Sequence, residues 1–244
     1  MAHPYTRFWS QFDMILCINI KERTDRKRES QLVFQKMGIP VEYMDVTRHP
    51  QSGEIGCFES HQACMRKAYK ANCSNVLIFE DDLDELNSPT EHMLAEVIRF
   101  IKTNREWDLL FLGAYPSVFF DTSKSVLNFT SIYKVSSQLC HAYCVSRKMM
   151  EKMLQIDHSF FNAPIDIVYL ANKNSYCLFP CVFYQSDSPS DISTSLRGTP
   201  LIRKSYVQFK NMYSQYSPIP LYHVMIVLIV ILFLLILLSG CRKR

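Results

Sequence analysis

Asn75-Val-Leu-Ile-Phe79 reads as a buried strand, and it stops abruptly at Glu80-Asp81-Asp82. That junction constrains the chain more than any other feature. A buried strand delivers three carboxylates into one place. Like charges so close repel, and the arrangement is costly unless a cation neutralises them. Hard oxygen ligands suit Mg²⁺ or Mn²⁺. Such an ion can bridge a nucleotide diphosphate and stabilise its charge as a leaving group. The competing reading is a solvated acidic loop that continues into Asp84 and Glu85.

The segments around this strand alternate. Met14 to Ile20 is a short, branched apolar run and predicts a first strand; Lys21 to Arg28 is charged and breaks it. Glu29 to Met37 has helical spacing and stops at Gly38. Val41 to Val46 predicts a second strand, Gly53 to Ala71 a helix, Pro89 to Lys102 another helix, and Trp107 to Leu112 a fourth strand. Cys140 to Val145 predicts a strand followed by a helix from Ser146 through Leu154, and Tyr176 to Phe183 a last strand. Strands alternating with helices imply an open α/β sheet, whose ligands collect at the carboxyl ends of strands. Asn19 to Lys21, Glu80 to Asp82 and Gln185 all fall at such ends.

Two further segments carry candidate chemistry. In Ile18-Asn-Ile-Lys-Glu-Arg-Thr-Asp-Arg26, the cations Lys21, Arg23 and Arg26 follow a strand and could grip phosphate oxygens, or could form a charged surface turn. In Gly53-Glu-Ile-Gly-Cys-Phe-Glu-Ser-His61, two glycines permit close backbone approach at a helix start. His61 lies one helical turn after Cys57, where a histidine serves either packing or chemistry.

The 244 residues suffice for one sizeable domain. A net charge of +4, part of it in Arg242-Lys-Arg244, is too small and dispersed to suggest a nucleic-acid partner. Nine cysteines, mostly inside apolar runs, predict buried thiols; the four-residue spacings Cys140/Cys144 and Cys177/Cys181 lack the gap of a zinc knuckle. Met1 to Gln11 has no apolar core of the signal-peptide kind. Leu221 to Gly240, by contrast, is strongly apolar and carries no charge if His223 is neutral, and about 20 residues at 1.5 Å rise span a hydrocarbon core of roughly 30 Å. It predicts a single-pass, tail-anchored membrane protein. Buried thiols and the lack of an upstream signal place the catalytic domain on the cytosolic side.

Taken in order, these segments resemble glycosyltransferase family 25, the lipooligosaccharide and procollagen galactosyltransferase family. The resemblance rests on Cys17-Ile-Asn-Ile followed by Arg23-Thr-Asp-Arg26, on Gly53-Glu-Ile-Gly-Cys57 with Ser60-His61, and on the strand ending in Glu80-Asp-Asp82. It continues through Trp107-Asp108 to Leu112-Gly113, His141-Ala-Tyr143, Pro164-Ile-Asp166, and a late strand with Pro180 and Gln185. After Asp82 the family commonly places a branched residue and an aromatic, where this chain has Leu83-Asp-Glu85.

The resemblance implies a GT-A-like, Rossmann-type α/β sandwich with a mostly parallel sheet. The expected organisation is an N-terminal extension (1–12), a catalytic domain (13–202), a stalk (203–220), the transmembrane helix (221–240) and a basic tail (241–244). The implied reaction is inverting, metal-dependent transfer of a hexose such as galactose from a UDP-sugar to a hydroxyl of a glycan, lipid or protein acceptor. Asp82, with Glu80, would bind Mn²⁺ or Mg²⁺. Asn19, Lys21, Arg23, Arg26, Glu80 and Asp81 would hold the donor. Asp166 would be the base, with His61 and His141 as further catalytic candidates; a helix cap is the other reading of Asp166. A membrane-anchored binding or scaffolding protein that keeps the fold without catalysis is the rival from another class.

Overall fold

A computed structural model describes residues 3–85, 87–119, 129–157 and 165–186, without the side chains at 115–119, 138, 166 and 167. Among the described residues, eight strands and six helices follow in the order α1 (Thr6–Trp9), β1 (Ile15–Ile20), α2 (Thr24–Met37), β2 (Glu42–Val46), α3 (Gly53–Lys70), β3 (Asn75–Glu80), β4 (Leu83–Glu85), α4 (Glu91–Thr103), β5 (Leu109–Phe119), β6 (Ile132–Ser146), α5 (Arg147–Leu154), α6 (Ile165–Leu170), β7 (Ser175–Leu178) and β8 (Phe183–Gln185).

The main sheet has six strands in the order β2-β1-β3-β6-β5-β7, and β4 pairs with β8 in a separate antiparallel ribbon. Side chains alternate across a strand, so each strand feeds two layers. Ile15, Cys17, Leu77 and Phe79 enter one core, with Phe34 and Met37 of α2 and Val97 and Phe100 of α4. Leu16, Val76 and Ile78 enter the other, with Phe58 and Met65 of α3, Met149 and Met153 of α5, and Tyr169 of α6. Each fully buried side chain of this size stabilises by about 1.5–3 kcal/mol. Truncating Phe79, which is inaccessible to solvent, would cost about 3–5 kcal/mol.

Local chemistry fixes the helix ends. Ser52, Thr90 and Ser146 each accept a hydrogen bond from the backbone N–H three residues on, at 3.2, 3.2 and 3.3 Å. Gly38 closes α2 in the left-handed region at φ 63°, and a β-carbon there would run into the His3 ring, so any side chain would be strained twice over.

Two expectations need correction. The sheet is mixed rather than mostly parallel: β1 runs parallel to β2 and β3, and β5 to β7, but β6 enters antiparallel to β3, β5 and β7. Residue periodicity specifies a strand and its buried face but not its direction, which the connections and neighbouring strands decide. The expected transmembrane helix is also withdrawn, and with it the tail-anchored, cytosol-facing localisation and the membrane as a partner. Among the described residues no helix is long and apolar enough to cross a membrane. Residues 203–244, which include the apolar run, lie outside the described residues. Apolarity sets a preference for leaving water; it does not by itself make a helix.

Two smaller differences matter for the site. The charged segment expected to break the chain after β1 instead supplies the first turn of α2, with Asp25 at its start. The single late strand expected from Tyr176 to Phe183 is two, β7 and β8, separated by Phe179-Pro180.

Candidate active site

The carboxyl ends of β1, β2 and β3 open into one cavity of about 200 Å³. The sheet register explains the convergence, since Ile18 of β1 pairs with Glu80 of β3 and Ile20 pairs with Val46 of β2. The cavity wall includes Glu80, Asp81 and Asp82 from the end of β3, Arg26 from α2, Gly56 and Cys57 from α3, and Gln185 from β8.

The three carboxylates have three different environments. Asp81 has both oxygens engaged: Asn19 Nδ2 donates to Oδ2 (2.7 Å) and an Arg26 guanidinium nitrogen to Oδ1 (3.1 Å). Burial raises its carboxyl, and these donors offset only part of that. Glu80 also lies under a burial penalty, but a hydrogen bond from His61 Nε2 (3.0 Å) and the charges of His61, His141 and Arg26 outweigh it and hold the carboxyl below its ordinary value. Asp82 is different again. Gln185 Nε2 donates to its Oδ2 at 3.1 Å and Arg26 lies 3.7 Å away, while its Oδ1 is buried with no hydrogen-bond partner among the described residues. Burial, and then the charge of Glu80, push Asp82 up to about 7 despite Arg26.

The donor set fits a hard divalent cation. Asp81 and Asp82 share the Arg26 guanidinium, and the orphaned Asp82 Oδ1 is the kind of atom a metal ion satisfies. Glu80 and Asp82 are the carboxylates to hold it, because Asp81 is already committed to Asn19 and Arg26.

The remaining sequence candidates fall in distinct places. His61 is buried in α3, its Nδ1 2.7 Å from the Tyr143 hydroxyl, which lies 3.1 Å from that of Tyr169. His141 is buried against Gly113, 3.5 Å from the Phe183 carbonyl, and does not line the cavity. Lys21 is exposed. The Arg23 side chain turns to Asp25 at 2.8 Å, lowering that carboxyl to about 2, and likewise stands off the cavity wall. Asp166 lies in α6, which packs on β6 and α3, with its side chain outside the described residues. Asp108, part of the Trp-Asp motif, is inaccessible at the opposite end of the sheet, where Lys152 Nζ donates to it at 2.8 Å.

Thr47, Arg48 and His49 also line the cavity, and none of them was singled out from the sequence. The signal was available: they directly follow β2, at the strand end where such folds bind ligands. Gly56 belongs to the same surface. A β-carbon there would come within 2.9 Å of His49 Cβ, so glycine lets the loop after β2 lie against α3.

Against known proteins, residues 46–169, just over half of the chain, match the family described as glycosyltransferase family 25 (LPS biosynthesis protein). The chain is 22% identical over 183 residues to the procollagen galactosyltransferase 2 of Mus musculus, covering 64% of this chain and 29% of that one. It is 24% identical over 111 residues to a probable inactive glycosyltransferase 25 family member 3 of Rattus norvegicus, covering 43% and 19% respectively. The chain thus spans less than a third of the length of these relatives. Among solved structures it is similar to a glycosyltransferase involved in the glycosylation of the major capsid of PBCV-1, at 10% identity and a TM-score of 0.45, covering 80% of this chain and 98% of that one. The family match contains α3, the Glu80-Asp-Asp82 junction and β6, so the cavity's acidic wall lies within the shared part: this chain belongs to glycosyltransferase family 25.

Proposed function

We propose that the chain transfers a hexose, with UDP-galactose the first donor to test, to a hydroxyl of a glycan, lipid or protein acceptor. The observation that carries this reading is the buried carboxylate cluster at one cavity wall, with Asp82 Oδ1 lacking any hydrogen-bond partner among the described residues. Family membership supports a nucleotide-sugar donor. The unsatisfied Asp82 Oδ1 supports Mn²⁺ or Mg²⁺ held by Glu80 and Asp82.

When bound, the ion would supply positive charge to the departing diphosphate. The protein's own residues do the rest. Asn19 and Arg26 fix Asp81, which holds the turn that presents Asp82. His61 donates to Glu80 and keeps it ionised. Arg48, exposed on the cavity wall, is a further cation for the diphosphate. Asp166 is the proposed base, accepting the acceptor's hydroxyl proton as the new glycosidic bond forms in a single inverting displacement.

A thermal-stability screen of nucleotide sugars tests the donor, run on the full chain with and without Mn²⁺ or Mg²⁺. A uridine nucleotide sugar should stabilise only when metal is present, by about 2.7 kcal/mol at a hundredfold excess over Kd. No stabilisation by any nucleotide sugar would overturn the reading. Asp166→Asn should keep donor binding and lower transfer by about 10²- to 10⁴-fold; transfer within a few-fold of the parent would remove Asp166 as the base. The anomeric configuration of the first product, read by NMR, should be inverted.

A further inference from the structure

A second set of metal-binding atoms, of a softer kind, lies at and just behind the cavity wall. Cys57 and His61 stand four residues apart on α3 and so share a helix face, and Glu80 reaches them from the end of β3. A sulfur, a ring nitrogen and a carboxylate oxygen from these residues lie within 4.8 Å of one another. A tetrahedral zinc site with bonds of about 2.0–2.3 Å has ligand-to-ligand edges of roughly 3.3–3.7 Å, so the three atoms need close by only about 1 Å. Cys57 and Glu80 both line the cavity, which leaves the fourth position open to solvent or ligand.

The surroundings of His61 strengthen the case. Its Nε2 is the nitrogen beside Glu80, at 3.0 Å, and its Nδ1 meets the Tyr143 hydroxyl at 2.7 Å, with Tyr169 behind at 3.1 Å. A metal-bound imidazole needs such a partner on its far nitrogen to fix ring orientation and tautomer. Hydroxyls can reverse their donor role, so Tyr143 can accept from Nδ1–H once Nε2 is given to a metal.

We propose that Cys57, His61 and Glu80 form a site for a thiophilic divalent cation, with Zn²⁺ as the probe. Sulfur, imidazole and one carboxylate favour such an ion, whereas Mg²⁺ and Mn²⁺ favour oxygen sets. On binding, the Cys57 thiol proton passes to solvent, and His61 carries its proton on Nδ1, facing Tyr143, instead of Nε2. Glu80 is common to this set and to the hard-metal pair Glu80/Asp82, so occupation by zinc withdraws Glu80 from the proposed donor site; that consequence rests on the functional reading above, but the zinc site itself does not.

Calorimetry of Zn²⁺ binding to the full chain tests the site, with circular dichroism confirming that each variant folds. Cys57→Ala should weaken zinc binding at least ~100-fold, and Tyr143→Phe, which removes the outer partner, by about 10- to 100-fold. Co²⁺ loaded into the parent should show sulfur-to-metal charge-transfer absorption that Cys57→Ala lacks. Unchanged zinc affinity in Cys57→Ala, or no such absorption in the parent, overturns the proposal. So does zinc that survives Cys57→Ala and is lost in Cys177→Ala, which would place the ion at the buried Cys177/Cys181 pair, whose sulfurs are 3.8 Å apart. If zinc binds as expected while Mn²⁺ with UDP does not, the donor reading fails and the zinc site stands.

Discussion

Glu96 and Asp82 are both buried carboxylates, 3% and 8% exposed, and the fold treats them in opposite ways. Glu96 projects from α4 and accepts from the backbone N–H groups of Thr130 (2.7 Å) and Ser131 (2.6 Å) and from the Thr130 hydroxyl (3.3 Å). Burial alone would raise its carboxyl, but those donors and the charge of His92 overcome it and hold the group below its ordinary value. Asp82 has one amide donor and one distant guanidinium, with Glu80 as a like-charged neighbour, and is pushed up to about 7. A buried carboxylate whose donors are all supplied pins a helix to the strand beside it. One left short of donors among like charges is the proposed cation ligand.

The strongest test of that contrast is Asp82→Asn. Metal-dependent nucleotide binding should disappear and transfer with it, while the metal-free protein melts no lower than the parent, because carboxylate repulsion has been relieved. Thermal melts with and without Mn²⁺ and UDP read both arms, and a clear loss of metal-free stability would make Asp82 a structural group like Glu96.

Glu96→Gln should do the reverse. Its amide must turn a donor toward one of the two backbone N–H groups, so urea unfolding should show a loss of about 2–3 kcal/mol, with nucleotide affinity retained. Loss of nucleotide binding at full stability would collapse the distinction.

The pH dependence of stability in chelator separates the two groups by sign. For Asp82 the folded state keeps its proton longer than the unfolded chain, from the ordinary 3.8 up to about 7. Its contribution is therefore present in acid and lost as pH rises through that window. For Glu96 the folded carboxyl lies below the ordinary 4.5. Its contribution is present above that value and lost as pH falls below it. Asp82→Asn should flatten the decline towards neutral pH, and Glu96→Gln the decline in acid; the same urea series measures both.

The smallest effect concerns a third buried carboxylate. Asp108 is inaccessible, and its partner Lys152 is about half exposed, with Lys148 standing 3.8 Å away as a substitute. Lys152→Met should cost about 1 kcal/mol or less, measured by the same unfolding curves.

Much of the site was legible because its signals are local. Strand β3 and its three carboxylates are contiguous along the chain. The ordered motifs from Asn19 to Gln185 were enough to place the chain in its family. What could not be read was who meets whom. The Arg26–Asp81 pair joins positions 55 residues apart, and Gln185 reaches Asp82 across 103. Arg23 and Arg26 look equivalent in the sequence, yet Arg23 turns back to Asp25 while Arg26 lies buried among the carboxylates, because α2 begins at Thr24 and sends the two side chains different ways.

The sequence by itself determined the alternation of strands and helices, the buried faces and the acidic strand end, since each depends on periodicity and neighbours along the chain. Only the tertiary structure decided the direction of β6, the pairing of β4 with β8 that delivers Gln185, and the three different environments of Glu80, Asp81 and Asp82. Those outcomes depend on which donors and charges arrive from distant segments. Burial strengthens each such interaction and makes each missing one costly, so identical carboxyl groups in consecutive positions acquire different chemistry.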